Sequence, residues 1–161
     1  MTVSVITISD RAARGEYADA SGPEIEGLLK EAFPAVEIRR EVVPDEAEAI
    51  LRALEVHAGS DYILTTGGTG IGPRDITPEV TERFCERLLP GIAEALRAES
   101  YRETPTAVLS RGVAGTRGAT IVVNFPGSVK AVRLCTRVLV PVMEHGLRML
   151  EGGGHNTGGT E

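Results

Sequence analysis

The sequence predicts an α/β protein with a parallel, doubly wound sheet that helices cover on both faces. Segments with the two-residue period of a strand alternate along the chain with segments that have the period of a helix. Polar or glycine-bearing sequences follow the strand segments, as they do at the ligand-binding edge of such sheets. The chain has 161 residues, of which 42% are hydrophobic and 25% are charged, as is typical of a globular domain with a core.

The first predicted strand covers 3–8, where the residues alternate and are rich in β-branched types. A helix follows, because Ser21 and Glu24 have the spacing of a capping box and apolar residues then recur at helical spacing. Pro34 ends this helix, and a second strand is predicted over 36–43.

Asp45 and Glu48 form a second capping-box pattern, which begins the next helix. The apolar stripe of that helix runs to Ala58. The third strand is predicted over 61–66, and it leads directly into a loop rich in glycine.

The segment after the glycine loop predicts a third helix from Thr77 to about Leu88, with Cys85 on its apolar face. A fourth helix is predicted over 92–101 from apolar residues at the same spacing. The region 104–118 is ambiguous, since it holds three glycines and two candidate short strands.

The C-terminal part begins with a strongly apolar strand predicted over 119–124. A long helix is then predicted from Ser128 to about Leu150. Residues 152–161 hold five glycines, and we expect them to form a mobile tail after a single domain over 1–151.

The charge balance excludes some partners, because 17 Lys and Arg against 23 Asp and Glu give a net charge of −6. Such a chain has no general attraction to nucleic acids or anionic membranes. It also lacks a signal-peptide pattern, and it lacks the apolar run of about 18 residues that a membrane helix needs. Cys85 and Cys135 lie far apart, so we expect reduced thiols in a cytoplasmic protein. The histidines are scattered and predict no metal cluster.

The loop at 67–73 holds four glycines in its first six residues. Backbone N–H groups that no Cβ obstructs can surround an anion, and a helix follows the loop. We predict phosphate binding by Gly67, Gly68, Thr69 and Gly70. The loop is not a P-loop, because Pro73 and Arg74 stand where Lys and Ser or Thr belong, and it lacks the third glycine of a dinucleotide fingerprint. A tight turn between strand and helix is the alternative.

Asp45 and Asp75 are candidate acids beside the glycine loop, although either could simply cap a helix. Asp75 stands next to Arg74, before a helix for which Thr77 is already a candidate cap. Two carboxylates near a phosphate loop suit Mg²⁺, which takes one or two carboxylates together with phosphate oxygens and waters.

The remaining strand ends carry polar residues whose pattern leaves two interpretations open. Asp10 and Arg11 form either a surface ion pair or contacts to a ribose, base or phosphate. Ser128 either caps the last helix or adds N–H groups to an anion site, and Asn124 precedes it across Pro126. Ser110–Arg111 alone indicates no more than an ordinary loop.

Taken together, these motifs resemble one family. The stretch TTGGTGIGPRDITPE at 65–79 closely resembles the signature of the molybdenum-cofactor biosynthesis proteins of the MogA/MoaB type, which are molybdopterin adenylyltransferases related to the G domain of gephyrin. Further similar motifs occur in order along the chain: ISDRA (8–12), PDE (44–46), LSR (109–111) and NFPGS (124–128).

The resemblance implies a three-layer α/β/α sandwich with a mostly parallel sheet and one antiparallel edge strand. It implies a homotrimer, or a hexamer for a MoaB-like member. The reaction that it implies is adenylyl transfer, in which the terminal phosphate of molybdopterin attacks the α-phosphate of ATP in the presence of Mg²⁺ and pyrophosphate leaves. The product would pass to a molybdate-insertion protein of the same pathway.

The resemblance also implies roles for individual residues. It makes Asp45 and Asp75 the essential acids, which would position Mg²⁺ and the phosphates. The residues implied to bind substrate or nucleotide are Ser9, Asp10, Gly67, Gly68, Thr69, Gly70, Arg74, Ser110, Arg111, Asn124, Pro126, Gly127 and Ser128. Among these, Ser9 and Asp10 would line the nucleotide side, and Ser110–Arg111 would hold the pterin or the nucleotide.

A non-catalytic, MoaB-type protein that binds molybdopterin or acts as a scaffold is the alternative function. Such a protein would keep the glycine loop but could lose the acids, and the presence of Asp45 and Asp75 therefore favours an enzyme. The competence-damage-inducible domain, a relative by fold, resembles this loop less well, because Thr69 and Arg74 stand where it has Leu and the first Asp of a pair.

Overall fold

The computed structural model describes residues 1–152, which form a mixed sheet between two layers of helices. The strands are β1 (Thr2–Ile8), β2 (Glu37–Val43), β3 (Tyr62–Thr66), β4 (Arg87–Leu88), β5 (Ala114–Arg117) and β6 (Thr120–Phe125). The helices are α1 (Asp10–Ala13), α2 (Ser21–Ala32), α3 (Ala47–Val56), α4 (Thr77–Phe84), α5 (Pro90–Glu103) and α6 (Val129–Leu150), with a 3₁₀ helix over Pro105–Leu109. Apart from Gly152, the predicted tail lies outside the described residues.

The sheet has six strands in the order β2-β1-β3-β6-β5-β4. Strands β2, β1, β3 and β6 run parallel, which confirms the predicted α/β class. Strand β5 is antiparallel to β6, and β4 is antiparallel to β5. The antiparallel strand is therefore β5, and it lies inside the sheet rather than at its edge, because β4 pairs with its outer side. Gly118, with a φ of +54°, makes the turn of the hairpin that joins β5 to β6.

Alternation along the central strands divides the core into two layers, as neighbouring side chains of a strand point to opposite faces. One face packs under α2, α5 and α6, and its core includes Val5, Leu29, Tyr62, Leu64, Val123 and Leu139. The other face packs under α3 and α4, and its core includes Ile6, Ile50, Leu54, Ile63, Phe84 and Val122. This arrangement confirms the three-layer α/β/α sandwich.

The predicted helix starts are corrected in one respect, because neither capping box forms. Asp19, not Ser21, accepts the N–H of Gly22 at 3.0 Å at the start of α2. No side chain caps α3, because the carboxylate of Asp45 binds the backbone N–H of Asp10 instead. The hydroxyl of Thr77 likewise does not cap α4, but donates to the carbonyl of Gly67 at 3.0 Å.

The segment after α4 also differs from the prediction of a helix that reaches Leu88. Helix α4 ends at Phe84, and the chain then pairs with β5 through the N–H of Glu86, which donates to the carbonyl of Thr116 at 2.8 Å. Arg117 stabilises this end, because it donates to the carbonyl of Phe84 at 3.0 Å. The ambiguous region contributes one strand and the 3₁₀ helix. Within residues 1–152, no helix is both long and apolar enough to cross a bilayer.

Candidate active site

The glycine loop, residues 67–73, leaves β3 in the middle of the sheet, beside the carboxyl ends of β1 and β6. Gly67 has a φ of +104° and Gly68 a φ of +64°, a region of the backbone map that residues with a Cβ rarely adopt. A Cβ on Gly67 would also collide with the carbonyl oxygen of Ile8, and one on Gly68 with the hydroxyl of Thr77. Close packing of strand ends therefore requires glycine at both positions.

The backbone of this loop presents donors without partners. The N–H groups of Gly68, Thr69 and Gly70 donate to no protein group among residues 1–152. The loop carbonyls, in contrast, are engaged, since Gly68 accepts the N–H of Thr77 at 3.1 Å. Three successive N–H groups without partners can hold a phosphate oxygen, and phosphate binding by this loop stays a prediction.

Arg111 fixes the shape of the glycine loop through hydrogen bonds to its backbone. Its N–H donates to the carbonyl of Thr69 at 2.8 Å, its Nε to Gly70 at 2.6 Å and its Nη2 to Asp75 at 2.5 Å. Its Nη1 pairs with Glu79. The guanidinium therefore uses three of its five N–H donors on the protein, and direct binding of a ligand by Arg111 stays a prediction.

Asp75 closes the other end of the loop. Its Oδ2 accepts the N–H of Gly72 at 2.8 Å. A Cβ on Gly70 or on Gly72 would lie 2.8 Å from the same oxygen, so the loop wraps closely around the carboxylate. Asp75 also lines the cavity described below, and its negative charge contributes to the raised pKa of Asp45.

Asp45 and Asp10, at the ends of β2 and β1, bind each other's backbone. The N–H of Asp10 donates to Oδ2 of Asp45 at 2.7 Å, and the N–H of Asp45 donates to Oδ1 of Asp10 at 2.9 Å. Arg74 pairs with Asp10 through Nη2 at 2.8 Å and through Nε at 3.1 Å. We call these three residues the acidic corner.

The acidic corner separates the pKa values of its two carboxyl groups. Burial raises the pKa of Asp45, and the negative charges of Asp10 and Asp75 add to the rise while the N–H of Asp10 opposes it. The hydrogen bond and charge of Arg74 lower the pKa of Asp10. An additional cation near Asp45 would be stabilised by the negative charges of Asp45 and Asp75, because Arg74 already neutralises Asp10.

A cavity of about 580 Å³ lies on the other side of the glycine loop from the acidic corner. The predicted site residues that line it are Gly67, Gly68, Thr69, Gly70, Asp75, Ser110, Pro126, Gly127 and Ser128. Ser9, Asp10, Asp45 and Arg74 do not line it, so the predicted site has two parts that share the loop and Asp75.

The cavity also has polar lining residues that the sequence analysis missed. Lys130 lines it and pairs with Glu103 at 3.3 Å, while Ser100, Thr104 and Thr106 add polar groups from α5 and the segment after it. The position of Lys130 in the first turn after the NFPGS motif is a signal that could have identified it. No local pattern marks Glu103, because α5 reaches the cavity only through tertiary packing.

Asn124 and Ser128, two predicted binding residues that flank Pro126–Gly127, lie in different surroundings. The side chain of Asn124 is buried and donates to the hydroxyls of Thr65 and Thr81, each at 2.9 Å, and it accepts the N–H of Val113 at 3.2 Å. Asn124 therefore holds strands and α4 together and does not line this cavity, and its role in substrate binding stays a prediction. Ser128 accepts the N–H of Ala131 at 3.2 Å and so caps α6 while it lines the cavity.

Ser9 and Arg11 stabilise the turn after β1. The hydroxyl of Ser9 accepts the N–H of Ala12 at 3.3 Å, as the cap of α1, and lies 3.0 Å from the hydroxyl of Tyr17. The guanidinium of Arg11 stacks on the ring of Tyr17 at 4.9 Å. The ion pair considered between Asp10 and Arg11 does not form, since Asp10 pairs with Arg74.

Comparison with known proteins identifies the family. The family described as "Probable molybdopterin binding domain" matches residues 4–145. This chain belongs to that family. Its molybdopterin-binding relatives include a protein named "Molybdopterin adenylyltransferase" from Helicobacter pylori (strain ATCC 700392 / 26695), which is 38% identical over 93% of this chain and 88% of that protein.

Solved structures of the molybdopterin-binding family have the same fold. One described as "anomalous substructure of MogA" is 40% identical, with a TM-score of 0.87 over 93% of this chain and 99% of that one. The MoaB protein of Thermus thermophilus, described as a "Molybdopterin biosynthesis enzyme", is 41% identical, with a TM-score of 0.83 over 94% of this chain and 96% of that one. The family assignment from the motifs is thereby confirmed.

The donor set around the loop fits Mg²⁺ only if a ligand completes it. Within residues 1–152, no group of three or more His, Cys, Asp or Glu side chains could hold a metal ion. Mg²⁺ commonly takes one or two carboxylates and leaves the other positions to phosphates and water. Asp45 meets this need, because its Oδ1 accepts no hydrogen bond from the described residues and lies beside Gly68, at 3.2 Å from where a Cβ would be.

Proposed function

We propose that the chain is a molybdopterin adenylyltransferase of molybdenum-cofactor biosynthesis. An oxygen of the terminal phosphate of molybdopterin forms a bond to the α-phosphorus of ATP, and the bond from that phosphorus to the β-phosphate oxygen breaks. The products are adenylylated molybdopterin and pyrophosphate. The observation that carries the proposal is that one glycine loop, with its free N–H groups, separates a cavity from an acidic corner.

The two sides of the loop suit the two substrates. The cavity, with Ser110, Ser128 and Lys130 on its walls, takes molybdopterin, and the acidic corner takes the triphosphate. The N–H groups of Gly68 to Gly70 bind the phosphates between them. A phosphate oxygen is already ionised at neutral pH, so the transfer depends on alignment and charge neutralisation rather than on a base.

Asp45 and Asp75 would hold Mg²⁺ in this scheme, together with phosphate oxygens. The ion supplies neutralisation of the charge on the triphosphate. Asp75 also keeps the loop closed through the N–H of Gly72, and Arg111 keeps the loop N–H groups oriented. Ser9 supports Asp10 by capping α1. Pro126–Gly127 closes the pocket beside Gly67, since a Cβ on Gly127 would lie 3.3 Å from the Cα of Gly67.

The assembly and location of the enzyme follow the family resemblance. We propose a homo-oligomer, a trimer or a hexamer, that passes its product to a molybdate-insertion protein. An apolar groove of about 520 Å³ between α5 and α6, with exposed Leu88, Val142 and Met149, supports a contact between copies. Free Cys85 and Cys135 support a reducing, cytoplasmic location.

A product assay tests this proposal. The purified chain is incubated with molybdopterin, ATP and Mg²⁺, and adenylylated molybdopterin and pyrophosphate are measured together. Both products should appear only when both substrates are present. Tight binding of molybdopterin without either product would support the non-catalytic binding protein instead.

A further inference from the structure

Asp10 has both carboxylate oxygens engaged by other parts of the acidic corner. Its Oδ1 accepts the N–H of Asp45 at 2.9 Å and Nη2 of Arg74 at 2.9 Å. Its Oδ2 accepts Nε and Nη2 of Arg74 at 3.1 and 2.8 Å. A carboxylate with these partners orients its neighbours and has little capacity left for a ligand.

Arg74 is held by one edge only. Its Nε and Nη2 face Asp10, whereas Nη1 has no partner among residues 1–152. The side chain is 59% exposed, and it extends from the glycine loop, whose N–H groups are also free. The carboxylate thus fixes the guanidinium and leaves its other edge free to bind an anion. A freely rotating arginine would lose conformational entropy when it bound the same anion.

Asp45 is fixed by the same residue. The two reciprocal backbone bonds, at 2.7 and 2.9 Å, set both the main chain and the carboxylate of Asp45. Its Oδ1 is thereby directed toward Gly68. The catalytic acid and the exposed arginine consequently share a single support.

We propose that Asp10 is a positioning residue that binds neither metal nor nucleotide and acts through two neighbours. It orients Nη1 of Arg74 toward a phosphate of the nucleotide, and it aligns the carboxylate of Asp45. The inference rests on the proposed function, because it takes the acidic corner to be the triphosphate site.

Two substitutions of Asp10 separate its two actions. Asp10→Asn keeps an oxygen for the N–H of Asp45 but removes the charge that holds Arg74, so KM for ATP should rise about tenfold with kcat nearly unchanged. Asp10→Ala also removes the support of Asp45, so kcat should fall about tenfold in addition. Calorimetric titration with ATP and Mg²⁺ in the absence of molybdopterin should show the same loss of affinity for both variants.

A double-mutant cycle tests whether Asp10 acts through Arg74. Arg74→Gln alone should weaken ATP binding about as much as Asp10→Asn, and the double variant should bind ATP no more weakly than Arg74→Gln. Glu24→Gln and Arg133→Gln provide the matched control. That pair has side chains of similar exposure, 25% and 53%, against 23% and 59% for Asp10 and Arg74.

The outcomes distinguish this inference from the proposed function. Losses of affinity that multiply in the double variant, or equal kcat values for Asp10→Asn and Asp10→Ala, would overturn the inference while leaving the function intact. A wild-type chain that binds no ATP would overturn both. Melting temperatures of Asp10→Asn and Arg74→Gln should change no more than in the control pair, because exposed ion pairs contribute little to stability.

Discussion

Arg111 donates from its Nε to the carbonyl of Gly70 at 2.6 Å, across 41 residues of sequence. The same guanidinium reaches the carbonyl of Asp75 at 2.5 Å, so one side chain joins the middle of the loop to the backbone just after it. Such a restraint reduces the freedom of the loop, because glycine restricts the backbone little. The arginine thereby restrains the backbone of the loop that we propose to bind the phosphates.

Arg111→Lys should loosen this site. Lysine keeps the charge but cannot reach three groups at once with a planar fork. We expect the affinity for ATP to fall by roughly 10- to 100-fold, and the free energy of unfolding to fall by about 1 kcal/mol, because partly buried carbonyls lose their donor. Calorimetric titration and thermal unfolding measure the two effects.

Arg97→Lys is the control for this change. Arg97 also binds a backbone carbonyl, that of Gly112 at 2.7 Å, but it does not touch the glycine loop. It should lose some stability and keep its affinity for ATP. Equal affinity in Arg111→Lys and the wild type would show that the clamp is irrelevant to binding.

The glycine loop can be tested through its backbone conformation. Gly68→Ala should abolish binding of ATP, because it places a Cβ against Thr77 at a φ of +64°. Gly15→Ala is a matched control, since Gly15 has a φ of +71° but no atom within 4 Å of its Cβ position. The control should lose about 1 kcal/mol of stability and keep full affinity. Unchanged binding in Gly68→Ala would rule out the anion cradle.

Much of this site could be predicted because parallel strands end at one edge of a sheet. Asp10, Asp45 and the glycine loop each follow a strand, and the structure places them side by side. The capping-box pattern that begins at Asp45 gave a wrong prediction for a related reason. The carboxylate of Asp45 is close enough to a neighbouring strand end to bind the N–H of Asp10, and that contact replaces the local one.

Other features could not be predicted from local patterns. The pair of Arg74 with Asp10 joins residues 64 positions apart, and the wall formed by Glu103 depends on how α5 packs. Strand β4 has only two residues, Arg87–Leu88, both exposed, and hence no periodicity that could reveal it. Tertiary packing, not propensity, determines these elements.

Tyr62 predicts how stability depends on pH in the alkaline range. Its hydroxyl donates to the carbonyl of Met143 at 2.9 Å, and burial raises its pKa to about 12. Because the pKa in the folded state lies above that in the unfolded state, about 10, the contribution is complete below pH 10 and is lost as the pH rises toward 12. The loss amounts to about 2–3 kcal/mol.

Urea unfolding between pH 9 and 12 measures this effect. The wild type should lose stability more steeply above pH 10 than Tyr62→Phe, which has no hydroxyl to ionise. Parallel curves for the two proteins would show that Tyr62 ionises as easily in the folded state as in the unfolded one.

The two cysteines should be nearly inert in the folded protein. Burial raises the pKa of Cys85 to about 11 and that of Cys135 to about 12. At pH 8, Cys85 should react with Ellman's reagent roughly 100-fold more slowly than free cysteine, and Cys135 more slowly still. Cys85→Ser assigns the faster phase. Both thiols should react at once in guanidinium, and fewer than two thiols there would reveal a disulfide.

The most direct test of the account compares catalysis with stability in Asp45→Asn and Asp75→Asn. Asparagine keeps an oxygen for the N–H of Asp10 or of Gly72, but it removes the charge. Asp61→Asn is the control, since its carboxylate also accepts a backbone N–H, that of Thr2 at 2.7 Å, away from the site. If the acids serve adenylyl transfer, each of the two should lower the rate about 10²–10³-fold and the stability by less than about 1 kcal/mol, while the control keeps its rate. Near-normal rates in both variants would contradict the assignment of Asp45 and Asp75 as catalytic acids.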